Sequence, residues 1–175
     1  MSTSIFGPII QNAFVVRDMD AALAHWTQVM GVGPFYRVNK VGYRRAYYQG
    51  APATPDYSIA IAYWGDIQVE LVTQNCDSPS IYKEFLDDGH EGLLHHVCVT
   101  VDDMEAFQRR IAGRGFETLA ELELEPEGRV LYLRGAGQRW PLIEVGQFAA
   151  GVYDLFKLAK DASVGWDGTD PVRML

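Results

Sequence analysis

Four side chains that could bind a cation stand at matching places in two copies of one sequence pattern. The first copy reads QNAFVVRDMDAAL from Gln11, and the second reads HVCVTVDDMEAF from His96. A carboxylate stands in the last strand-like stretch after each copy, Glu70 in IQVELV and Glu144 in PLIEV. Three oxygen donors and one imidazole suit manganese, cobalt, nickel or zinc. Because unpartnered buried carboxylates are costly, the set predicts a bound cation or a shared proton.

The same order of elements is predicted around these residues in each half. An alternating apolar stretch runs into Asp18 or Asp103, which can accept hydrogen bonds from the first turn of a following helix. Three further strand-like stretches then follow, so each half is predicted to fold as strand, helix, strand, strand, strand. The predicted second strand of the first half runs through residues 35–49. The predicted buried stripes of the two helices are Leu23, Trp26 and Met30, and Met104, Phe107 and Ile111.

Alternation along the strands divides their side chains between two faces. One face is apolar and suits packing under the helices. The other is smaller and more polar, and it carries Gln11, Glu70, His96 and Glu144. If the halves pack as pseudo-twofold mates, these four converge in one cup. His95 is placed on the opposite strand face, where we interpret it as a core or edge histidine.

The predicted fold class is α+β, with two tandem βαβββ modules forming a cupped, barrel-like mixed sheet and helices outside. Residues 8–75 form the first module, 76–92 a linker helix and 93–148 the second module of a single domain spanning 1–175. Residues 149–175 are predicted to form a C-terminal helix and an irregular tail.

Composition excludes several classes of partner. The net charge of −8 and the absence of a basic stripe argue against nucleic-acid binding. No apolar run approaches the ~18 residues that a membrane span needs, and the N-terminus lacks the features of a signal peptide. Two cysteines without CxxC spacing favour free thiols. We therefore expect a cytoplasmic protein with a small-molecule substrate.

The paired modules, with QNAFVVRDMDAAL, IQVELV, HHVCVTVDDMEA and PLIEV at the corners, resemble the glyoxalase superfamily, also called the vicinal oxygen chelate fold. The resemblance covers roughly residues 8–148 and is nearest to the glyoxalase I and methylmalonyl-CoA epimerase subgroup. It implies that Gln11, Glu70, His96 and Glu144 bind a divalent metal ion, zinc, nickel, cobalt or manganese. Two departures from the epimerase pattern are Gln11 in place of a histidine and no acidic residue within 35–49.

The resemblance also implies a reaction. The metal-dependent members abstract a proton next to a carbonyl, so we expect an isomerase, epimerase or lyase for a bulky organic acid, thioester or hydroxyketone. Glu144 is then the general base, and Glu70 returns the proton from the opposite side. The expected substrate pocket includes Cys98, Trp64, Tyr132 and Arg45. Members of this superfamily often form homodimers, which is the expectation here.

Two alternatives remain open from the sequence. One is a metal-free module that sequesters a small molecule, similar to bleomycin resistance proteins. The other is an iron-dependent extradiol-type dioxygenase. Such sites use two histidines and one carboxylate. Gln11 at the first corner leaves only His96 in the set.

Overall fold

The structure, a computed structural model, describes residues 5–175, which form one mixed sheet of eleven strands with four helices. The strands are β1 Gln11–Val15, β2 Phe35–Val38, β3 Tyr43–Tyr48, β4 Ala51–Pro52, β5 Tyr57–Trp64, β6 Ile67–Gln74, β7 Leu94–Thr100, β8 Phe116–Leu124, β9 Gly128–Gly135, β10 Leu142–Phe148 and β11 Val172–Met174. The helices are α1 Met19–Ala24, which continues as a π-helical turn over His25–Val29, α2 Ile81–Asp87, α3 Met104–Ile111 and α4 Ala150–Ser163.

Strand order confirms the two βαβββ modules and the α+β class. The sheet runs β11-β2-β5-β6-β1-β7-β10-β9-β8-β3-β4. The first half contributes β2-β5-β6-β1, and the second contributes β7-β10-β9-β8 in mirrored order. β1 and β7 pair antiparallel at the centre. The two halves therefore meet through their first strands, and the sheet curls into a cup.

The predicted strand over residues 35–49 is wrong as a single element. It splits into β2, which pairs with β5, and β3, which pairs with β8 of the other half. Between them, the Ser58 hydroxyl donates to the carbonyl of Asn39 at 2.7 Å. A run of strand-forming residues predicts an extended backbone but does not identify its pairing partner, so alternation alone misses this crossover.

Both predicted helix caps are present. Oδ1 of Asp18 accepts from the Ala21 amide at 2.9 Å, and Oδ1 of Asp103 accepts from the Ala106 amide at the same distance. The predicted burial of Met30 is wrong, because its side chain is 41% exposed. The π-helical turn widens the helix before this residue and rotates it away from the stripe that a period of 3.6 predicts.

The linker helix α2 begins after Ser80, whose hydroxyl accepts from the amides of Tyr82 and Lys83. Its Ile81 and Phe85 side chains are 2% and 1% exposed. They pack in the cluster that also contains Val15 and Val72 of the first half and Leu142 of the second. The helix between the modules therefore belongs to their shared core.

The predicted irregular tail instead returns to the sheet. β11 pairs parallel with β2, with Val172 opposite Phe35. Gly33 lies directly against the indole of Trp166, where a Cβ would come within 2.7 Å of a ring atom. The tail therefore packs on its own chain. In residues 5–175, no helix is both long and apolar enough to cross a membrane.

Candidate metal centre

The site is built by the register of the four central strands, β6-β1-β7-β10. Ala13 lies directly opposite Glu70 on β6 and His96 on β7. In the same way, Cys98 lies directly opposite Gln11 on β1 and Glu144 on β10. Directly opposed residues share a face of the sheet. The pairing therefore gathers the four predicted ligand residues on one face, around two small side chains.

Distances between these side chains are short. Nε2 of His96 lies 2.7 Å from Oε2 of Glu144 and 3.3 Å from Oε2 of Glu70. The ligand-type atoms of all three residues lie within 4.8 Å of one another. His96 has no exposed surface, and Glu70 and Glu144 are 8% and 6% exposed. Two carboxylates and one imidazole therefore share a small volume from which solvent is largely excluded.

Gln11 supplies a fourth donor. Its amide nitrogen donates to Oε1 of Gln68, and Nε2 of Gln68 donates in turn to the hydroxyl of Tyr63 at 3.3 Å. This leaves Oε1 of Gln11 buried without a hydrogen-bond partner. Nε2 of His96 also lacks an aligned hydrogen bond despite its close carboxylate neighbours. An amide oxygen and an imidazole nitrogen left unsatisfied beside two carboxylates fit a divalent cation.

His95 is not on the opposite face, so that prediction is wrong. The β1–β7 register pairs Ala13 with His96 and Phe14 with Leu94, which leaves His95 as the extra residue of a β-bulge. As a result both histidine rings lie on the same side, with their Nδ1 atoms 2.7 Å apart. A bulge of this kind cannot be read from strict alternation.

Burial and the contact between the two rings together determine which ring nitrogens carry protons. Burial, followed by the nearby His96, lowers the pKa of His95 well below its usual range, so His95 is neutral. Its Nε2 lies 3.4 Å from the carbonyl oxygen of Ile81, which can only accept a hydrogen bond, so Nε2 carries the ring proton. Nδ1 of His95 is then an acceptor for Nδ1–H of His96. This arrangement keeps Nε2 of His96 directed toward the carboxylates, as in metal sites where a neighbour orients the ligating imidazole.

We predict that His95→Phe weakens metal binding by about 10- to 100-fold, because it removes the acceptor that orients His96 while filling the same aromatic packing site. A competition titration against a chromophoric chelator measures the affinity. His90→Phe is the matched control, since its ring also contacts Phe85 but touches none of the four donor residues. Equal affinity in the His95 variant and the wild type would contradict this orienting role.

Electrostatics in the cluster also favour a cation. Burial alone would lower the pKa of His96, but contacts with Glu144 and Glu70 outweigh it and raise the pKa to about 9. Burial raises the pKa of Glu70. With both carboxylates ionised, one protonated imidazole leaves a net negative charge in this buried site. A dication bound by the neutral imidazole would balance both carboxylates, which removes the cost of an unpaired buried charge.

A cavity of about 290 Å³ opens onto this cluster. Gln11, Glu70 and Glu144 line it, together with the rings of Tyr57, Tyr82 and Tyr132. Its apolar wall comes from three parts of the chain: Val38, Val41, Ile59 and Ile61 of the first half, Leu122, Leu124, Val130 and Phe148 of the second, and Val152, Leu155 and Phe156 of α4. The cavity thus has a few polar groups at one end of an apolar chamber, which is typical of small-molecule sites.

The four predicted pocket residues lie in different places. Tyr132 lines the cavity, whereas Cys98, directly opposite Glu144 and 1% exposed, lies outside the lining. Trp64 is 58% exposed and packs on Trp26, because the even-numbered residues of β5 face α1 while Tyr57, Ile59 and Ile61 face the cavity. Arg45 is exposed and lies 3.6 Å from Glu123. The predicted positions of Cys98, Trp64 and Arg45 in the pocket are therefore wrong.

Several residues of the site and its cavity were given no role by the sequence analysis. Gln68 accepts a hydrogen bond from Gln11 without lining the cavity, and it lies two residues before Glu70 in one strand, so alternation already placed it on the same face. Tyr82 comes from the linker helix, and Leu155 and Phe156 come from α4. No periodicity within either module predicts that these helices reach the cavity. Their position depends on tertiary packing.

Fold and site together define a protein of paired βαβββ modules with a buried four-donor centre between them. The chain belongs to the Glyoxalase/Bleomycin resistance protein/Dioxygenase superfamily, whose family model matches residues 10–131. No curated protein sequence matches the chain significantly.

Solved structures with this fold include several methylmalonyl-CoA epimerases. The enzyme from Mycobacterium tuberculosis has a TM-score of 0.59 at 18% identity, covering 88% of this chain and 96% of its own. A variant of the Streptomyces coelicolor enzyme in complex with 2-nitronate-propionyl-CoA has a TM-score of 0.55 at 17% identity, covering 83% and 96%. A selenomethionine methylmalonyl-CoA epimerase has a TM-score of 0.56 at 19% identity, covering 85% and 99%. At these identities the likeness shows the shared fold.

Proposed function

We propose that the protein is a metal-dependent enzyme that removes a proton next to a carbonyl, in an isomerase, epimerase or lyase reaction. The observation that carries the proposal is the pair of buried carboxylates, Glu70 and Glu144, that flank His96 at the polar end of an apolar cavity. Proton abstraction needs a base within reach of the substrate and a means of stabilising the negative charge that develops on oxygen. The similarity to methylmalonyl-CoA epimerases supports the epimerase form of the reaction.

Gln11, Glu70, His96 and Glu144 would hold the ion, through Oε1 of Gln11, Nε2 of His96 and the two carboxylates. A divalent ion bound there supplies a Lewis acid that polarises the substrate carbonyl, a contribution worth several kcal/mol. Manganese, cobalt, nickel and zinc all suit three oxygen donors and one imidazole.

The protein's own groups then handle the proton. Glu144 is proposed as the general base, and Glu70, on the other side of His96, returns the proton. The two carboxylates lie on strands of different modules, so the substrate can sit between them with one group on each face. The apolar walls exclude water from the reacting carbon, which strengthens every charge interaction at the polar end. A bulky organic acid, thioester or hydroxyketone has the required acidic proton.

An iron dioxygenase is less well supported. Within residues 5–175, His95 is the one other histidine beside the cluster, and its Nδ1 is engaged by His96. It therefore cannot serve as the second imidazole ligand of a site with two histidines and one carboxylate.

Proton exchange tests the proposed function. Candidate carbonyl compounds are incubated with metal-loaded protein in deuterated buffer, and loss of the α-proton signal is followed by NMR. Enzyme-dependent exchange that stops on adding a chelator supports the proposal. Tight binding of the same compounds without exchange, with or without metal, would instead identify a small-molecule binding protein.

We further propose that the chain acts in the cytoplasm as a homodimer, a common assembly in this superfamily. Sedimentation equilibrium measures the mass in solution. A mass of about twice the 19.6 kDa chain is expected, and a mass equal to one chain would contradict the dimer.

A further inference from the structure

Three tyrosine hydroxyls gather at the polar end of the cavity. Tyr82 of α2 and Tyr132 of β9 have their hydroxyl oxygens 3.0 Å apart. Tyr57 of β5 packs its ring 5.1 Å from that of Tyr82. All three are at most 5% exposed and all three line the cavity. Three separate elements therefore bring phenols to one buried point beside the carboxylates.

The trio has unused hydrogen-bond donors. Each hydroxyl carries one proton, and the trio makes one internal hydrogen bond, between Tyr82 and Tyr132. Among residues 5–175, no other side chain or carbonyl accepts a hydrogen bond from these hydroxyls. Two protons therefore remain, that of Tyr57 and that of whichever hydroxyl accepts in the bond between Tyr82 and Tyr132. A buried donor facing a cavity without a partner is costly unless a ligand or water accepts from it.

Tyr132 is better placed than Tyr57 to donate to a ligand. It lies directly opposite Glu144 in the β9–β10 pair, so both side chains share a face. Its ring also packs edge-on to His96, with ring centroids 5.2 Å apart. Tyr57, in contrast, lies opposite Gln74, four residues along β6 from Glu70. An oxygen attached to the carbon beside Glu144 would therefore meet the hydroxyl of Tyr132.

The charges around the cavity limit what can enter. Among the lining residues that the structure describes, Glu70, Glu125 and Glu144 are acidic, and none is Lys or Arg. A dication held there would already be balanced by Glu70 and Glu144, so a carboxylate or phosphate inside the chamber would find no uncompensated positive charge and no lysine or arginine to pair with. The walls are otherwise apolar. The chamber thus suits an uncharged group with an apolar body.

We propose that the substrate portion inside the cavity is an uncharged carbonyl group with an apolar body, and that Tyr132 donates a hydrogen bond to its oxygen. Tyr82 then donates to Tyr132, which leaves the proton of Tyr132 for the ligand. The assignment rests on the proposed function for the reacting carbonyl, and it narrows the substrate class to ketones and thioesters. It also makes Tyr132 a catalytic residue, because its hydroxyl touches the oxygen that gains charge.

Binding of a matched probe pair tests this proposal. Phenylacetone and phenylacetate have nearly the same size and differ in charge. Calorimetry with the full-length protein is expected to show phenylacetone binding at least about tenfold more tightly than phenylacetate. Tyr132→Phe should weaken phenylacetone binding about fivefold, the effect of one lost neutral hydrogen bond. Tyr57→Phe should change the affinity for phenylacetone less than about twofold, because Tyr82 still donates to Tyr132 and the proton of Tyr132 remains available to the ligand.

The control variant is Tyr153→Phe on the outer part of α4, which is 40% exposed and lies outside the cavity lining. Circular dichroism and thermal melting verify that each variant folds. Phenylacetate binding as tightly as phenylacetone would overturn the substrate class. A larger loss with Tyr57→Phe than with Tyr132→Phe, or no loss with either, would overturn the role of Tyr132.

The binding measurement with phenylacetone does not depend on turnover. If the wild type binds phenylacetone with the expected dependence on Tyr132 but never exchanges its α-protons, the proposed function fails while the hydrogen bond stands. If exchange occurs, Tyr132→Phe should reduce its rate by about 100-fold, well beyond the loss in binding, because charge on the oxygen grows in the transition state. Equal losses in rate and binding would contradict a catalytic role.

Discussion

Glu144→Gln is expected to reduce α-proton exchange by about 10²- to 10⁴-fold, the range observed for loss of a general base. The substitution preserves the size of the side chain and one of its oxygens, so the residue can still contact a metal ion. It removes the negative charge and therefore the ability to take a proton. Glutamine fills the same buried space, where the side chain is 6% exposed, and the residue lies opposite Cys98 in a regular strand pair. No change in fold is therefore expected.

NMR of the exchange reaction measures this effect, together with the metal content of the same samples. Glu127→Gln is the matched control, since Glu127 is exposed and lies outside the cavity lining. Exchange at the wild-type rate in the Glu144 variant, with metal retained, would remove Glu144 from its role as base. A loss of exchange that only follows a loss of metal would reassign it as a ligand alone.

His96→Ala is expected to lower the affinity for a divalent transition metal by at least about 100-fold. His96 supplies the only nitrogen among the four donors, and its Nε2 lies 2.7 Å and 3.3 Å from oxygens of Glu144 and Glu70. Loss of a neighbour that orients a ligand typically lowers metal affinity about 10- to 100-fold, so loss of the ligand itself should lower it further. The variant also leaves two buried carboxylates without a positive partner, which should lower the melting temperature of the metal-free protein.

Competition titration with a chelator gives the affinity, and calorimetric melting with and without metal gives the stability. His25→Ala is the control, because His25 is exposed and belongs to the π-helical turn. Wild-type metal affinity in the His96 variant would show that any bound ion lies elsewhere.

The sequence predicted much of the fold because its signals were local and repeated. Asp18 and Asp103 cap helices in both copies, and alternation within the central strands placed the four donors on one face. Pairing partners were harder to predict, as the crossover of Tyr43–Tyr48 to the second half shows. Strand propensity describes one segment at a time, whereas pairing depends on the whole sheet.

The errors within the candidate site have a similar origin. His95 was misplaced because a single extra residue in β7 breaks the period of two on which the face assignment rests. Outside the site, Met30 was misplaced because a π-helical turn changes the helical period. Tyr82 and Phe156 were missed because helices outside the modules carry them to the cavity. Local periodicity thus identified the donors at the polar end but not the enclosure around them.

Elemental analysis of untagged wild-type protein tests whether a divalent ion binds among Gln11, Glu70, His96 and Glu144. The predicted result is about one manganese, cobalt, nickel or zinc ion per chain, either as purified or after loading and dialysis. Absence of bound metal after loading with each of the four ions would show that these residues form no metal centre.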